Sequence, residues 1–184
     1  MKKYIKKLME EKQLCEIYTN ASNQDLFAVG YFIACDDDYA LVKSFDENGK
    51  SDGVLCYNIS SIFCIKKDTL YLKDISHLIE CQETNESIIL KNNDSYLKNF
   101  LEYVKDYKLI CTIELGSDSF ARFSGYVIEV DCDDKDFDYV VFREINHRAE
   151  IDGEIVVYLG DIYYVSCNTT NEKRLKTLSS FNKI

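Results

Sequence analysis

Residues 27–65 read FAVGYFIACDDDYALVKSFDENGKSDGVLCYNISSIFCI, and residues 123–165 read FSGYVIEVDCDDKDFDYVVFREINHRAEIDGEIVVYLGDIYYV. In both stretches apolar runs alternate with acidic or glycine-containing turns, the pattern of short strands joined by hairpins. Gly30 precedes Asp36 by six residues, and Gly125 precedes Asp131 by six. Asp52-Gly53 and Asp152-Gly153 lie 100 positions apart, as do Ile62 and Ile162. The second stretch is a degenerate copy of the first, and a repeat of this length governs every later reading.

Working outward, residues 2–12 form an amphipathic helix, with Tyr4, Ile5 and Leu8 as its apolar stripe. Five strands follow, at Leu14–Thr19, Phe27–Cys35, Tyr39–Phe45, Val54–Ile59 and Ile62–Lys66, and then a short helix over 69–81. Gly30 marks a bend or bulge in the second strand. The connection DENGKSDG, 46–53, reads as a polar turn. The plan then repeats. Leu97, Phe100, Leu101 and Val104 make the helical stripe, and strands follow at Leu109–Leu115, Phe123–Val130, Tyr139–Glu144, Glu154–Leu159 and Ile162–Cys167. Leu175, Leu178 and Phe181 echo Leu72, Ile75 and Leu78 at an offset of 103. The expected organisation is a first unit at 1–81, a polar linker at 82–93 and a second unit at 94–184. Ile88, Ile89 and Leu90 in the linker suit an added strand. The fold class is mainly β with short helices: two tandem five-stranded small barrels, each preceded by an α-helix.

Composition narrows the function classes. The net charge is −10, and residues 1–95 and 96–184 each hold 11 basic and 16 acidic side chains, so each half carries −5. Proteins that bind phosphate backbones usually carry a basic field, so this balance disfavours nucleic acid. No apolar run is long enough for a membrane span, and the basic N-terminus lacks the apolar core of a signal peptide. The expectation is a cytoplasmic protein that takes no membrane. Eight cysteines fall mostly in strands and form no C-x-x-C pair, which points to reduced core thiols rather than a zinc site.

The clustered acids, Asp36–Asp38 and Asp131–Asp138, suit solvated turns better than calcium, since the glycine and glutamate of a calcium loop are missing. His77 and His147 are the two histidines, and nothing pairs either with a particular cysteine as a nucleophile. No nucleotide loop, nucleophile elbow or zinc-protease motif occurs, so no cofactor and no enzymatic role are expected. Lys2, Lys3, Lys6 and Lys7 crowd the first helix, and Arg143, His147 and Arg148 lie close together in the second unit. These seven are the candidate contacts for an anion or RNA. The many aromatics read as core or interface first, and as base-stacking platforms second.

Helix, then five short strands with a bent second strand, resembles the Sm-like (LSm and Hfq) small barrel over most of both units. That family's first motif has a strand-two glycine, an acid six positions on and an asparagine four later. Gly30 and Asp36 match, as do Gly125 and Asp131, whereas Ala40 and Lys135 stand where the asparagine would be. In the second motif, Ile62 and Ile162 match the β-branched position. Its Arg-Gly places hold Asn58 and Ile59 in the first unit and Tyr158 and Leu159 in the second. The matched positions shape the barrel, and the unmatched ones are those that hold RNA bases in that family. PRC, Tudor and SH3-like barrels remain alternatives. The resemblance implies a protein partner, or self-association through the edges of the fourth and fifth strands; three chains would close as a pseudo-hexamer. RNA binding of an atypical kind is the rival expectation.

The two copies differ in one turn. Aligning the glycines gives an offset of 95 and aligning Asp52 with Asp152 gives 100, so five residues are inserted between Asp131 and Asp138. That acidic turn is expected to stand in solvent, with any RNA contact elsewhere.

Overall fold

The computed structural model describes residues 1–21, 23, 25–82, 95–116, 121–131 and 138–181. The chain divides into two compact units, Met1–Tyr96 and Leu97–Ile184. The expected linker and its added strand lie outside the described residues from 83 onward, as do positions 132–137 of the acidic turn.

The first unit runs α1 (Lys2–Glu10), β1 (Leu14–Tyr18), β2 (Ala28–Cys35), β3 (Tyr39–Phe45), β4 (Ser51–Asn58), β5 (Cys64–Lys67) and α2 (Leu70–Glu80), with a 3-10 turn at Ile59–Ser61. Its strands are ordered β5-β1-β2-β3-β4, and the recorded ladders are antiparallel. The second unit runs α3 (Tyr96–Asp106), β6 (Ile110–Leu115), β7 (Ala121–Asp131), β8 (Tyr139–Ile145), β9 (Ile151–Tyr158), β10 (Ile162–Cys167) and α4 (Thr170–Phe181). Its order, β10-β6-β7-β8-β9, is the same plan. The protein is therefore mainly β with short helices. Among the described residues the sheet is open: no ladder joins the fourth and fifth strands of a unit, so their hydrogen bonds do not close a barrel. No helix among the described residues is long and apolar enough to cross a membrane.

The core of each unit follows from its strand periodicity. Leu14, Val29 and Phe45 project from β1, β2 and β3 onto Leu72 and Ile75 of α2. Ile110 and Ile145 meet Leu175 of α4 in the same way. Ile5 and Leu8 of α1, and Phe100, Leu101 and Val104 of α3, are buried along one stripe. Each of these helices ends on a lysine in the left-handed region, Lys12 (φ 47°) and Lys108 (φ 50°). The next N–H reaches back to a helical carbonyl, Gln13 to Leu8 and Leu109 to Val104, each at 2.9 Å.

Four readings change against the structure. Gly30 is not itself the bulge: the β2–β3 register shifts between Phe32 and Ala34, and β7–β8 shifts between Val127 and Glu129. The glycines instead admit a close crossing. A Cβ on Gly30 would strike the Lys43 carbonyl oxygen, and one on Gly125 the Arg143 carbonyl oxygen. Asp52-Gly53 is not a turn but the start of β4, where Gly53 takes φ 76° in a bulge opposite β3. The turn proper closes earlier: Asp46 Oδ1 accepts from Asn48 N (2.9 Å) and Lys50 N (2.8 Å). Ile62 lies outside β5 and closes the 3-10 turn, its N–H donating to Ile59 O at 3.2 Å.

The last helices align at an offset of 100 rather than 103. Asp68 and Asn168 both have φ 59°, and Thr69 and Thr169 accept from Lys73 N and Lys173 N in the first helical turn. Leu72 therefore corresponds to Glu172, and Ile75 to Leu175.

Candidate interaction site

The seven cations expected to contact an anion do not form one cluster in a unit. Lys2, Lys3, Lys6 and Lys7 lie on α1 of the first unit; Arg143, His147 and Arg148 belong to β8 and its hairpin in the second. Several are already balanced by acids. Lys2 pairs with Asp37, which raises the lysine pKa and lowers that of the carboxyl. Lys7 lies 3.6 Å from Glu11, one helical turn on. Arg143 gives two bonds to Glu154 Oε1, from Nε at 2.9 Å and from an Nη at 2.6 Å. Lys3 and Lys6 are exposed. His147 and Arg148 are exposed at the hairpin tip, where Asn146 Oδ1 accepts from Arg148 N at 2.8 Å.

The motif residues shape the backbone. Asp36 Oδ1 accepts from Asp38 N (2.8 Å) and Tyr39 N (2.7 Å), and its Oδ2 from Tyr96 N (2.7 Å). This is an aspartate turn, with its oxygens committed to N–H groups. Asp131, its counterpart, is half-buried at the end of β7 and opposite Tyr139.

Four buried thiols are poor nucleophiles. Burial pushes Cys15 and Cys167 up to about 12 and Cys56 and Cys111 well above the ordinary range. Among the described residues no three His, Cys, Asp or Glu side chains converge on a metal position.

Sequence reading passed over two buried carboxylates. Glu16 of β1 is 4% exposed and accepts from Tyr18 Oη (2.6 Å) and Thr69 Oγ1 (2.5 Å). Glu172 of α4 is 2% exposed and accepts from Thr112 Oγ1 (2.6 Å), Ser166 Oγ (2.9 Å), Thr169 N (2.9 Å) and Thr169 Oγ1 (2.5 Å). The spacing Thr169-x-x-Glu172 is a capping box and was readable as one. Nothing in the sequence marks Glu16 as buried.

The strand edges carry the exposed apolar surface. β4 is covered from Gly53 to Tyr57, and β10 is buried at Ile162 and from Val165 to Cys167. β9 is different: Ile151, Val156 and Tyr158 are 68%, 67% and 53% exposed. It has β8 on one side and no strand on the other among the described residues. β5 likewise has only β1 beside it. Its entry residue Phe63, 45% exposed, packs edge-on against Tyr18 at 6.3 Å between ring centroids. Phe27 stacks on Tyr18 at 5.1 Å and meets Tyr71 at 5.7 Å, which extends this aromatic shelf. Lys66 lies over the Tyr18 ring at 4.6 Å. Unpaired N–H and C=O groups beside exposed apolar side chains form a template for strand addition. No family model, curated protein or solved structure matches this chain.

Proposed function

We propose that the protein is a non-enzymatic interaction and assembly module, built from duplicated Sm-like barrels and working through its strand edges. The observation that carries this is β9, which among the described residues has a strand on one side only and exposes Ile151 and Val156. An isolated soluble domain usually blunts such an edge with proline, inward charges or a covering loop. This chain has no proline. The likeness of both units to the Sm-like plan, with Gly30, Asp36, Gly125 and Asp131 in the barrel-shaping places, supports the same reading.

Native mass spectrometry of the full chain over a concentration series tests it, together with hydrogen exchange of the β9 amides. Higher-order species, with β9 protection rising alongside them, are expected. A strict monomer whose β9 amides exchange freely at every concentration overturns it.

RNA binding is the second reading, favoured by the exposed Lys3 and Lys6 on α1. Retardation of short A- or U-rich RNA that weakens steeply with added salt would establish it. No retardation at low salt ends it.

A further inference from the structure

Independently of whether the strand edges assemble, we infer that Cys111 and Cys167 form a cross-strand dithiol site, which a peroxide oxidises to a disulfide that latches β6 to β10. Cys167 of β10 stands directly opposite Cys111 of β6. In the described ladders no other cysteine faces a cysteine. Cys15 faces Gly30 and Lys67, Cys35 faces Ala40, Cys56 faces Leu41 and Cys64 faces Tyr18. The pair belongs to the second unit alone: Cys15 answers to Cys111 in the first, and Lys67 stands where Cys167 would be.

The ladder brings the two residues to a spacing that a disulfide can span. Opposed residues of an antiparallel pair point to one face and alternate between hydrogen-bonded and non-hydrogen-bonded places. Gly116 N donates to Asp161 O at 3.1 Å, just beyond Leu115 and Ile162, so those two are a non-hydrogen-bonded pair. The bulge between Ile162 and Tyr164 adds its residue to β10 and leaves β6 regular. Counting along β6, Ile113 and Cys111 share the phase of Leu115. At such places Cα atoms lie about 4.5 Å apart and side chains come closest, inside the span of roughly 4.4–6.8 Å found for disulfides. The bond needs side-chain rotation and no change of register.

Cys167 is the better first nucleophile, since a backbone hydrogen bond from Asn168 and the charge of Lys176 ease its ionisation against the burial that opposes it. Its sulfur takes one peroxide oxygen as the O–O bond breaks, and the other oxygen leaves as water. The Cys111 sulfur then attacks that of Cys167 and expels the bound oxygen as a second water. Two thiols give up two hydrogens and two electrons, and one peroxide is reduced. Cys111 is 0% and Cys167 2% exposed, so the bond forms slowly and is then sheltered from reducing thiols. It closes a covalent ring through every strand of the second unit, which restricts the unfolded chain. An oxidising episode is thereby stored as a lasting stiffening of one unit.

The test treats the full-length chain with hydrogen peroxide at neutral pH, then unfolds it, alkylates the remaining thiols and maps the peptides by mass. Cys111 joined to Cys167 within one chain, lighter by two hydrogens, is expected. The melting temperature should rise by roughly 10 °C. Dithiothreitol should release the link at least about tenfold more slowly from the folded chain than in urea. Cys111→Ser and Cys167→Ser should each abolish the link and the thermal shift. Lys67→Cys, which sets the same pairing against Cys15 in the first unit, should add a second link under the same treatment. Cys111 and Cys167 that both remain open to alkylation, or that join other cysteines, overturn the site. If either serine variant does not fold, the map of the unaltered chain decides by itself.

Discussion

The two units bury a carboxylate in the same place and deliver it from different elements. In the first, Glu16 on β1 accepts from the helix-capping Thr69, and the third helical position is Leu72. In the second, Glu172 occupies that third position beside Thr169, and the β1-equivalent residue is Thr112. The other places differ in step: Val29 and Lys66 in one unit answer to Ser124 and Ser166 in the other. A buried hydroxyl or N–H left without a partner costs about 1–3 kcal/mol. The requirement is therefore for one carboxylate near the helix start, not for glutamate at a given position. Where it comes from the helix, it meets four donors; where it comes from the strand, two hydroxyls. Topology is shared, and the polar detail inside it is free to migrate if it migrates as a set.

The largest effect is expected where the units agree. Gly30→Ala and Gly125→Ala each drive a Cβ into a backbone carbonyl oxygen that no rotamer change can move. Each should destabilise its unit by more than about 4 kcal/mol, measured by urea unfolding. Loss of less than about 1 kcal/mol would show that the strand crossing is looser than described.

The next effect lies where they differ. Glu172→Leu copies the first unit at one position only and removes the acceptor shared by three hydroxyls and an N–H, so about 3 kcal/mol should be lost. Adding Thr112→Glu returns a carboxylate from the strand side. The double variant should be at least about 1 kcal/mol more stable than the sum of the singles, as a double-mutant cycle measures. Strict additivity would mean that the two positions do not serve one hub.

A smaller contrast sits in the β3–β4 and β8–β9 hairpins. Gly49 has φ 73° and Ala149, its counterpart, has φ 61°. Ala149→Gly should raise stability by up to about 1 kcal/mol by removing left-handed strain. Gly49→Ala should destabilise, since its Cβ would lie 2.7 Å from Leu78 Cβ and 2.8 Å from Ile79 N.

The smallest effect is expected at Lys2 and Asp37, an exposed pair. The depressed Asp37 carboxyl contributes only above its unfolded pKa, and that contribution fades as pH falls through the folded value. The raised Lys2 contributes below its own unfolded pKa and fades only in strong alkali. Asp37→Asn should leave the urea midpoint at neutral pH unchanged within error, because solvent screens such pairs.

Most strand positions were legible because apolar runs are bounded by polar or glycine-containing turns, as at Tyr39–Phe45, where the expected and observed ends coincide. Asp52-Gly53 misled because a bulge uses the same residues as a turn, and only the pairing of Phe45 with Ser51 tells them apart. The helix offset misled because apolar spacing repeats every three to four residues, so a slip of three preserves the stripe. The helix starts fix it: Thr69 O and Thr169 O each accept from the N–H four residues on, at an offset of 100. That Lys2 is spent on Asp37 and Arg143 on Glu154 could not be recognised, because those pairings join distant or cross-strand positions, whereas Lys7 and Glu11 stand one helical turn apart. The edges of the fourth and fifth strands were expected to be the assembling surfaces, but the exposure of Ile151, Val156 and Tyr158 on β9 was not legible, because exposure of an apolar strand has no signature in the strand itself.

The displaced carboxylate also bears on how faithfully the chain folds. Two similar units on one polypeptide invite a last helix to dock on the wrong sheet, a characteristic failure of repeat proteins. Were α4 to settle on β1, Glu172 and Glu16 would be buried side by side with too few donors and like charge. Were α2 to settle on β6, Leu72 would stand where Thr112 and Ser166 now find their carboxylate acceptor, leaving Thr112 with Ser124 as its hydroxyl partner. Each wrong docking is penalised and each right one is satisfied. The exchange of two side chains between a strand and a helix thus gives each sheet a key that only its own helix carries.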